Sequence, residues 1–404
     1  MFNFKESEEQ KRMIDQATEI MHKHVFPNEK YIVPHRGLPA EILKPLQQIV
    51  KENGLWAGHL PKEVGGMGMG FVSLGLLSEV IGQSPIGPYV FGSMAPDAGN
   101  GEILVHAATE EQKEKYLKPL ADYEIRSCFA MTEPEVSGSD PRTLQGTAVK
   151  DGDEWVINAH KWYTTGAEGA AFTIAMVVTD PDADSYHRTS LFIVDTDNPG
   201  FEIVREVPVM GDHYVGGHCE VRFNNCRIPE KNILGLRGEG FKLSQLRLGP
   251  GRITHAMRWL GVARRSLNEM VSYSLSTRDG EKTLADSQII QNYIADSEAE
   301  IQASRLLTLQ AAWKMDQSDE ARKEVSLIKF YGAQVLNNVI DRAIQTLGTF
   351  GLTQNTPLEG LYREARAARI YDGADEVHRM VVARQVLKEF QAKERLHEPT
   401  AISK

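Results

Sequence analysis

The chain has 404 residues, 41% of them apolar, and 45 basic against 55 acidic side chains give a formal net charge of −10. That length and apolar share suffice for a large core divided over two or three packed domains, whereas the acidic balance argues against a general nucleic-acid binder, which needs a basic surface for phosphates. No window approaches the roughly 18 uninterrupted apolar residues of a membrane helix. The acidic, polar opening Met1–Gln10 resembles neither a secretion signal nor an Arg-rich transit peptide, so the expectation is a bacterial cytoplasmic protein or a mature protein of the mitochondrial matrix.

In chain order, Glu8–Val25, Glu41–Asn53 and Phe71–Ile81 carry apolar residues at helical spacing, broken by Pro and Gly clusters. From about Arg126 the texture changes to short β-rich runs: Glu154–Ala159, Phe172–Thr179, Ser190–Asp195, Phe201–Val204 and Cys219–Phe223. Asp151-Gly152 between two such runs is a hairpin signal. From Gly240 to Phe390 long helical patterns return, including Arg252–Leu275, Asp286–Met315 and Asp319–Gly348, each long enough for an antiparallel bundle. The expected class is α+β: an N-terminal helical domain (1–125), a small central β-barrel or sandwich (126–236), a C-terminal four-helix bundle (237–395) and a tail (396–404).

Several chemistries lack support. Gly65-Gly66-Met67-Gly68-Met69-Gly70 does not have the spacing of a dinucleotide fingerprint or a P-loop, so it reads as a tight loop between helices. His22 and His24 are spaced wrongly for one helix face, and His213 and His218 lie in a Gly-rich loop, so no zinc motif forms and no metal is expected. Cys128, Cys219 and Cys226 lack metal-site spacing and read as buried thiols of a reducing compartment. No G-x-S-x-G elbow is present.

What remains is a series of motifs in a fixed order. They are Pro61–Gly68 (P-x-x-x-G-G-x-G), Phe129-Ala130-Met131-Thr132-Glu133-Pro134 continuing to Ser139-Asp140, Lys161-Trp162-Tyr163-Thr164-Thr165-Gly166, Arg227–Gly235, Gln345-Thr346-Leu347-Gly348, and Ile370-Tyr371-Asp372-Gly373-Ala374-Asp375-Glu376-Val377-His378. Together, from about Ser7 to Phe390, they resemble the acyl-CoA dehydrogenase flavoenzymes. The wording Tyr-Asp-Gly-x-Asp-Glu-Val-His, with Leu248-Gly249-Pro250-Gly251-Arg252, is most similar to the branch of family members ten and eleven.

The resemblance implies FAD-dependent α,β-dehydrogenation of an acyl-CoA thioester, as in fatty-acid β-oxidation, with electrons passing to an electron-transfer flavoprotein from a homodimer or homotetramer. It implies Asp372 as the base that takes the α-proton while the β-hydrogen leaves as hydride to flavin N5. Most of the family has Glu there, so the carboxylate is retracted by about 1.5 Å, one C–C bond. Phe129, Met131, Thr132, Ser139, Tyr163, Thr165, Arg278, Gln288, Gln345, Gly348, Ala374 and Glu376 are implied as FAD-binding. Ser139, Arg252, Gly373 and Arg384 are implied as substrate-binding, the two arginines being suited to the phosphates of CoA. Because strand residues alternate in direction, only one of Trp162 and Tyr163 is expected to face the flavin, and Tyr163 is chosen. Alternatives are a flavoenzyme like nitroalkane oxidase, which also uses an Asp base, and a non-catalytic subunit of a heteromeric dehydrogenase.

Overall fold

The computed structural model describes residues 5–33, 36–210, 215–318 and 321–397, without the side chains of 278–279 and 393–397. It divides into two compact units, residues 1–265 and 266–404.

The first unit opens on the helix Glu8–Ile20, started by a capping box in which the Ser7 hydroxyl accepts from the Gln10 amide and the Gln10 side chain accepts from the Ser7 amide. Helices Ala40–Glu52, Phe71–Ile81 and Asp97–Ala107 follow. Between the second and third, the Gly65–Gly70 stretch is the expected tight loop. Gly65 and Gly68 take φ +86° and +61°, and a Cβ on Gly66 would lie 2.2 Å from the Leu60 carbonyl oxygen.

Eight strands form one sheet: β1 (Ser127–Ala130), β2 (Thr147–Asp151), β3 (Glu154–Thr165), β4 (Phe172–Val178), β5 (Thr189–Asp195), β6 (Phe201–Glu206), β7 (His218–Pro229) and β8 (Ile233–Leu234). The order is β6-β7-β3-β2-β4-β5-β8, with β1 lying parallel to β4. Asp151-Gly152 makes the hairpin that its sequence signals, since Asp151 pairs with Glu154 across the loop and Gly152 has φ +61°.

β4 is buried along its whole length and apolar except for Thr173, as a strand covered on both faces should be. Its residues divide by parity. Ala175 and Val177 join Trp155, Ile157, Phe192 and Phe223 in one core, while Phe172, Ile174, Met176 and Val178 join Leu104, Tyr116 and Leu191 in another. All three cysteines are buried thiols without disulfide partners; burial pushes Cys128 up to about 12.

The helix Gly240–Ser276 starts where the helical pattern returns and runs through Pro250, with Gly249 and Gly251 on either side of it. It meets the end of Phe71–Ile81 at glycine on both sides. A Cβ on Gly82 would lie 2.4 Å from the Cα of Arg258, and one on Gly261 would lie 2.2 Å from the Glu79 carbonyl oxygen. Small residues here let two backbones approach.

In the second unit the helix Arg322–Leu347 packs against Gln288–Asp316, Leu358–Ala367 and Asp375–His397. The expected start at Asp319 lies outside the described residues.

Candidate active site

In the first unit the motif that begins at Phe129 leaves β1 and runs beside the C-terminal end of β3. The Trp162 amide donates to the Thr132 carbonyl at 3.0 Å. One residue earlier, the fully buried Lys161 donates to the Met131 carbonyl (2.9 Å), the Met176 carbonyl (2.7 Å) and the Glu133 carboxylate (2.8 Å). Glu133, itself buried, also accepts the amides of Gln145 (2.7 Å) and Gly146 (2.8 Å). Burial pushes the Lys161 ammonium down although Glu133 opposes the shift, and three acceptors at 2.7–2.9 Å match the three hydrogens of an ammonium. Met131, Thr132 and Glu133 are thus tied to β3 at three successive positions.

The strand itself is irregular there. Its pairing with β7 shifts register between Lys161 and Thr164, and Tyr163 has φ +53°. This bulge overturns the alternation argument for choosing between Trp162 and Tyr163: the two rings lie together, with centroids 4.5 Å apart and planes tilted by 37°. Tyr163 is 45% exposed, and the neighbouring Thr165 hydroxyl is 2.9 Å from Nδ1 of His218. Ser139 is exposed, 3.0 Å from the Ser137 hydroxyl, on a turn where a Gly138 Cβ would lie 3.1 Å from Thr132.

Phe129 carries the Arg247 guanidinium 4.5 Å from its ring centroid. Arg247 and Arg258 both act electrostatically on Glu102, whose enclosed carboxyl is nonetheless raised to about 8 by burial. His59 is pushed down to about 3 by burial, with Arg258 adding to the shift. This titratable group is not legible in the sequence because its members are scattered over two helices, Asp97–Ala107 and Gly240–Ser276, and the turn at His59. Arg252, half-buried, lies on the same helix as Arg247.

In the second unit Asp372 is half-buried in the turn before Asp375–His397. It is not that helix's N-cap. It has φ +54°, and Gly373 has φ +104°. The carboxylate of Asp375, buried rather than solvated, accepts from Nε of Arg369 at 2.8 Å. Ala374 is half-buried, while Glu376 and Arg384 are exposed on the helix. Gln288 is exposed at the first position of its helix, and Gln345 and Gly348 are exposed at the end of Arg322–Leu347, where Gly348 has φ +60°. The Arg278 side chain lies outside the described residues.

The chain matches three family models along its length: acyl-CoA dehydrogenase N-terminal domain over residues 7–124, middle domain over 128–226 and C-terminal domain over 238–387. The chain belongs to the acyl-CoA dehydrogenase family. This family member is 42% identical over 382 residues to the probable acyl-CoA dehydrogenase FadE2 of Mycobacterium tuberculosis, covering 92% of this chain and 93% of that one. It is 38% identical to mouse acyl-CoA dehydrogenase family member 10 over 96% of its own length, but spans only 38% of that relative; for mouse family member 11 the values are 36%, 96% and 51%.

A provisionally assigned acyl-CoA dehydrogenase from Mycobacterium abscessus superposes with a TM-score of 0.90 at 38% identity, covering 96% of this chain and 100% of that one. The butyryl-CoA dehydrogenase of Megasphaera elsdenii gives 0.83 at 26% identity, covering 96% and 100%.

FAD is the cofactor of this family of oxidoreductases, and the first unit offers surfaces of the right kind for it. An exposed aromatic on a left-handed backbone, backed by a second ring, has a free face of the kind on which a planar heterocycle stacks. The Thr165 hydroxyl lies 3.4 Å from the Tyr163 carbonyl oxygen.

Proposed function

We propose that the chain catalyses α,β-dehydrogenation of an acyl-CoA thioester, with Asp372 as the base. The observation that carries this reading is the Asp372 turn, a carboxylate on a left-handed backbone next to a glycine at φ +104° and a half-buried ion pair between Arg369 and Asp375. A residue with a side chain in that conformation persists where its surroundings enforce it, and such places cluster at active sites.

Asp372 accepts the α-proton while the β-hydrogen leaves with its electron pair and the Cα–Cβ double bond forms. When bound, FAD supplies the acceptor for that hydride. Phe129, Met131, Thr132, Ser139, Tyr163 and Thr165 hold the cofactor in this proposal, and Arg278, Gln288, Gln345, Gly348, Ala374 and Glu376 are assigned to it through the family resemblance. Ser139, Arg252, Gly373 and Arg384 are assigned to the acyl-CoA; a guanidinium forks onto phosphate oxygens, which suits the two arginines to CoA. Electron-transfer flavoprotein is the proposed electron acceptor, and a homodimer or homotetramer the proposed assembly. The segments 1–125, 126–236 and 237–395 are its proposed domains.

The test is an anaerobic visible spectrum of the purified, FAD-loaded protein titrated with acyl-CoAs of different length and branching. Bleaching by at least one thioester is expected. An unchanged band with every thioester sinks the proposal, and bleaching by nitroalkanes instead replaces it.

A further inference from the structure

We infer that His378 is a positioning residue for Asp372, holding the carbonyl of the turn so that the carboxylate is presented from a left-handed backbone. The inference rests on the reading of Asp372 as the base. Nε2 of His378 lies 3.1 Å from the Asp372 carbonyl oxygen. A carbonyl can only accept, so the hydrogen is on Nε2, and this contact selects the tautomer if the ring is neutral. The imidazole is 3% exposed. It stands in the first turn of Asp375–His397, six residues beyond the group it holds.

Gly373 makes the contact possible in two ways. Its φ of +104° is closed to ordinary side chains, and a Cβ there would lie 2.5 Å from Nε2 and 3.2 Å from Cδ2 of the same ring. Two further ties fix the flanks. Before the turn, the fully buried Lys329 donates to the Ala368 carbonyl at 2.7 Å and stands 5.7 Å from the Tyr371 ring centroid. Across it, Asp375 pairs with Arg369 through its side chain (2.8 Å), and its amide donates to the Arg369 carbonyl (3.1 Å). The bond from His378 reaches into the turn itself.

An Asp has one side-chain torsion fewer than the Glu found in most of the family, so the place of its carboxylate follows the backbone more closely. Holding the Asp372 peptide therefore holds the base, and a misplacement of about 1 Å is enough to cost on the order of 100-fold in rate.

The test compares His378→Leu, His378→Gln and Asp372→Asn in the full FAD-loaded chain, using whichever acyl-CoA of the panel bleaches wild type fastest. His378→Leu should lower kcat about 10- to 100-fold, with KM and FAD content close to wild type. His378→Gln, whose amide N–H can meet the same carbonyl, should recover most of that loss. Independently of activity, ring-nitrogen NMR of His378, assigned by its disappearance in His378→Gln, should show hydrogen on Nε2 at neutral pH.

Wild-type kcat in His378→Leu, equal losses in the Leu and Gln variants, or a bare Nε2 would each overturn the inference. Should His378→Leu fail to fold, Gly373→Ala displaces the imidazole by its Cβ and must slow turnover similarly; an unaffected rate there overturns the inference as well. Asp372→Asn separates the two claims: full activity in that variant removes the base itself, whereas a dead Asp372→Asn beside an unimpaired His378→Leu removes only the positioning role.

Discussion

Replacing Lys161 by Met should be among the most damaging single changes in the central sheet. The ammonium is fully buried and spends its three hydrogens on Met131 O, Met176 O and Glu133 Oε1 at 2.7–2.9 Å. Methionine fills similar volume but leaves the Glu133 carboxylate, 2% exposed, with the amides of Gln145 and Gly146 and no cation. Removing one partner of a buried pair costs about 3–5 kcal/mol, a large share of the roughly 5–15 kcal/mol that holds a typical protein folded.

Lys161→Met/Glu133→Leu removes both charges, so it should cost less than the sum of the single changes, with a coupling of about 0.5–3 kcal/mol. Urea unfolding followed by tryptophan fluorescence gives these numbers. Flavin fluorescence should show weaker FAD retention in Lys161→Met, because the Met131–Glu133 segment loses two of its ties. A Lys161→Met protein within about 1 kcal/mol of wild type, or strictly additive single changes, would refute the reasoning.

Gly261→Ala drives a methyl into the Glu79 carbonyl oxygen 2.2 Å away and should cost about 1–3 kcal/mol by thermal or urea unfolding, far more than an alanine at an open helical site. Glu102 is raised by burial from 4.5 to about 8, so the folded state keeps a proton that the unfolded state has lost. Its contribution to stability is present below pH 4.5 and fades as pH rises through about 8, and Glu102→Gln should flatten the urea midpoint over that window. Asp372→Glu adds about 1.5 Å of reach on a backbone that presents an Asp, so turnover should fall rather than improve; a faster Asp372→Glu enzyme would contradict the account of the turn.

Much of the architecture could be read from the sequence because periodicity encodes it directly. The largely apolar β4, the Asp151-Gly152 hairpin and the long helices all follow from local pattern. In the long helix Gly240–Ser276, Gly249-Pro250-Gly251 carries a local penalty that the packed helix overrides.

The site was legible as a set of words rather than as geometry. Lys161 and Glu133 belong to two of the motifs, but their pairing across 28 positions is a tertiary fact. The bulge at Tyr163 and the left-handed turn at Asp372 are backbone states that no side-chain pattern announces. His378 stood in plain view in the last motif; what gives it meaning is the 3.1 Å to a carbonyl six residues back.

The central claim, that Asp372 removes a proton from an acyl-CoA, is tested most directly by anaerobic titration of wild type and Asp372→Asn side by side. The account predicts bleaching of the oxidised flavin band by an acyl-CoA in wild type, and a rate lower by about 10²–10⁴-fold in Asp372→Asn at unchanged FAD content. Equal bleaching rates in the two proteins would contradict it.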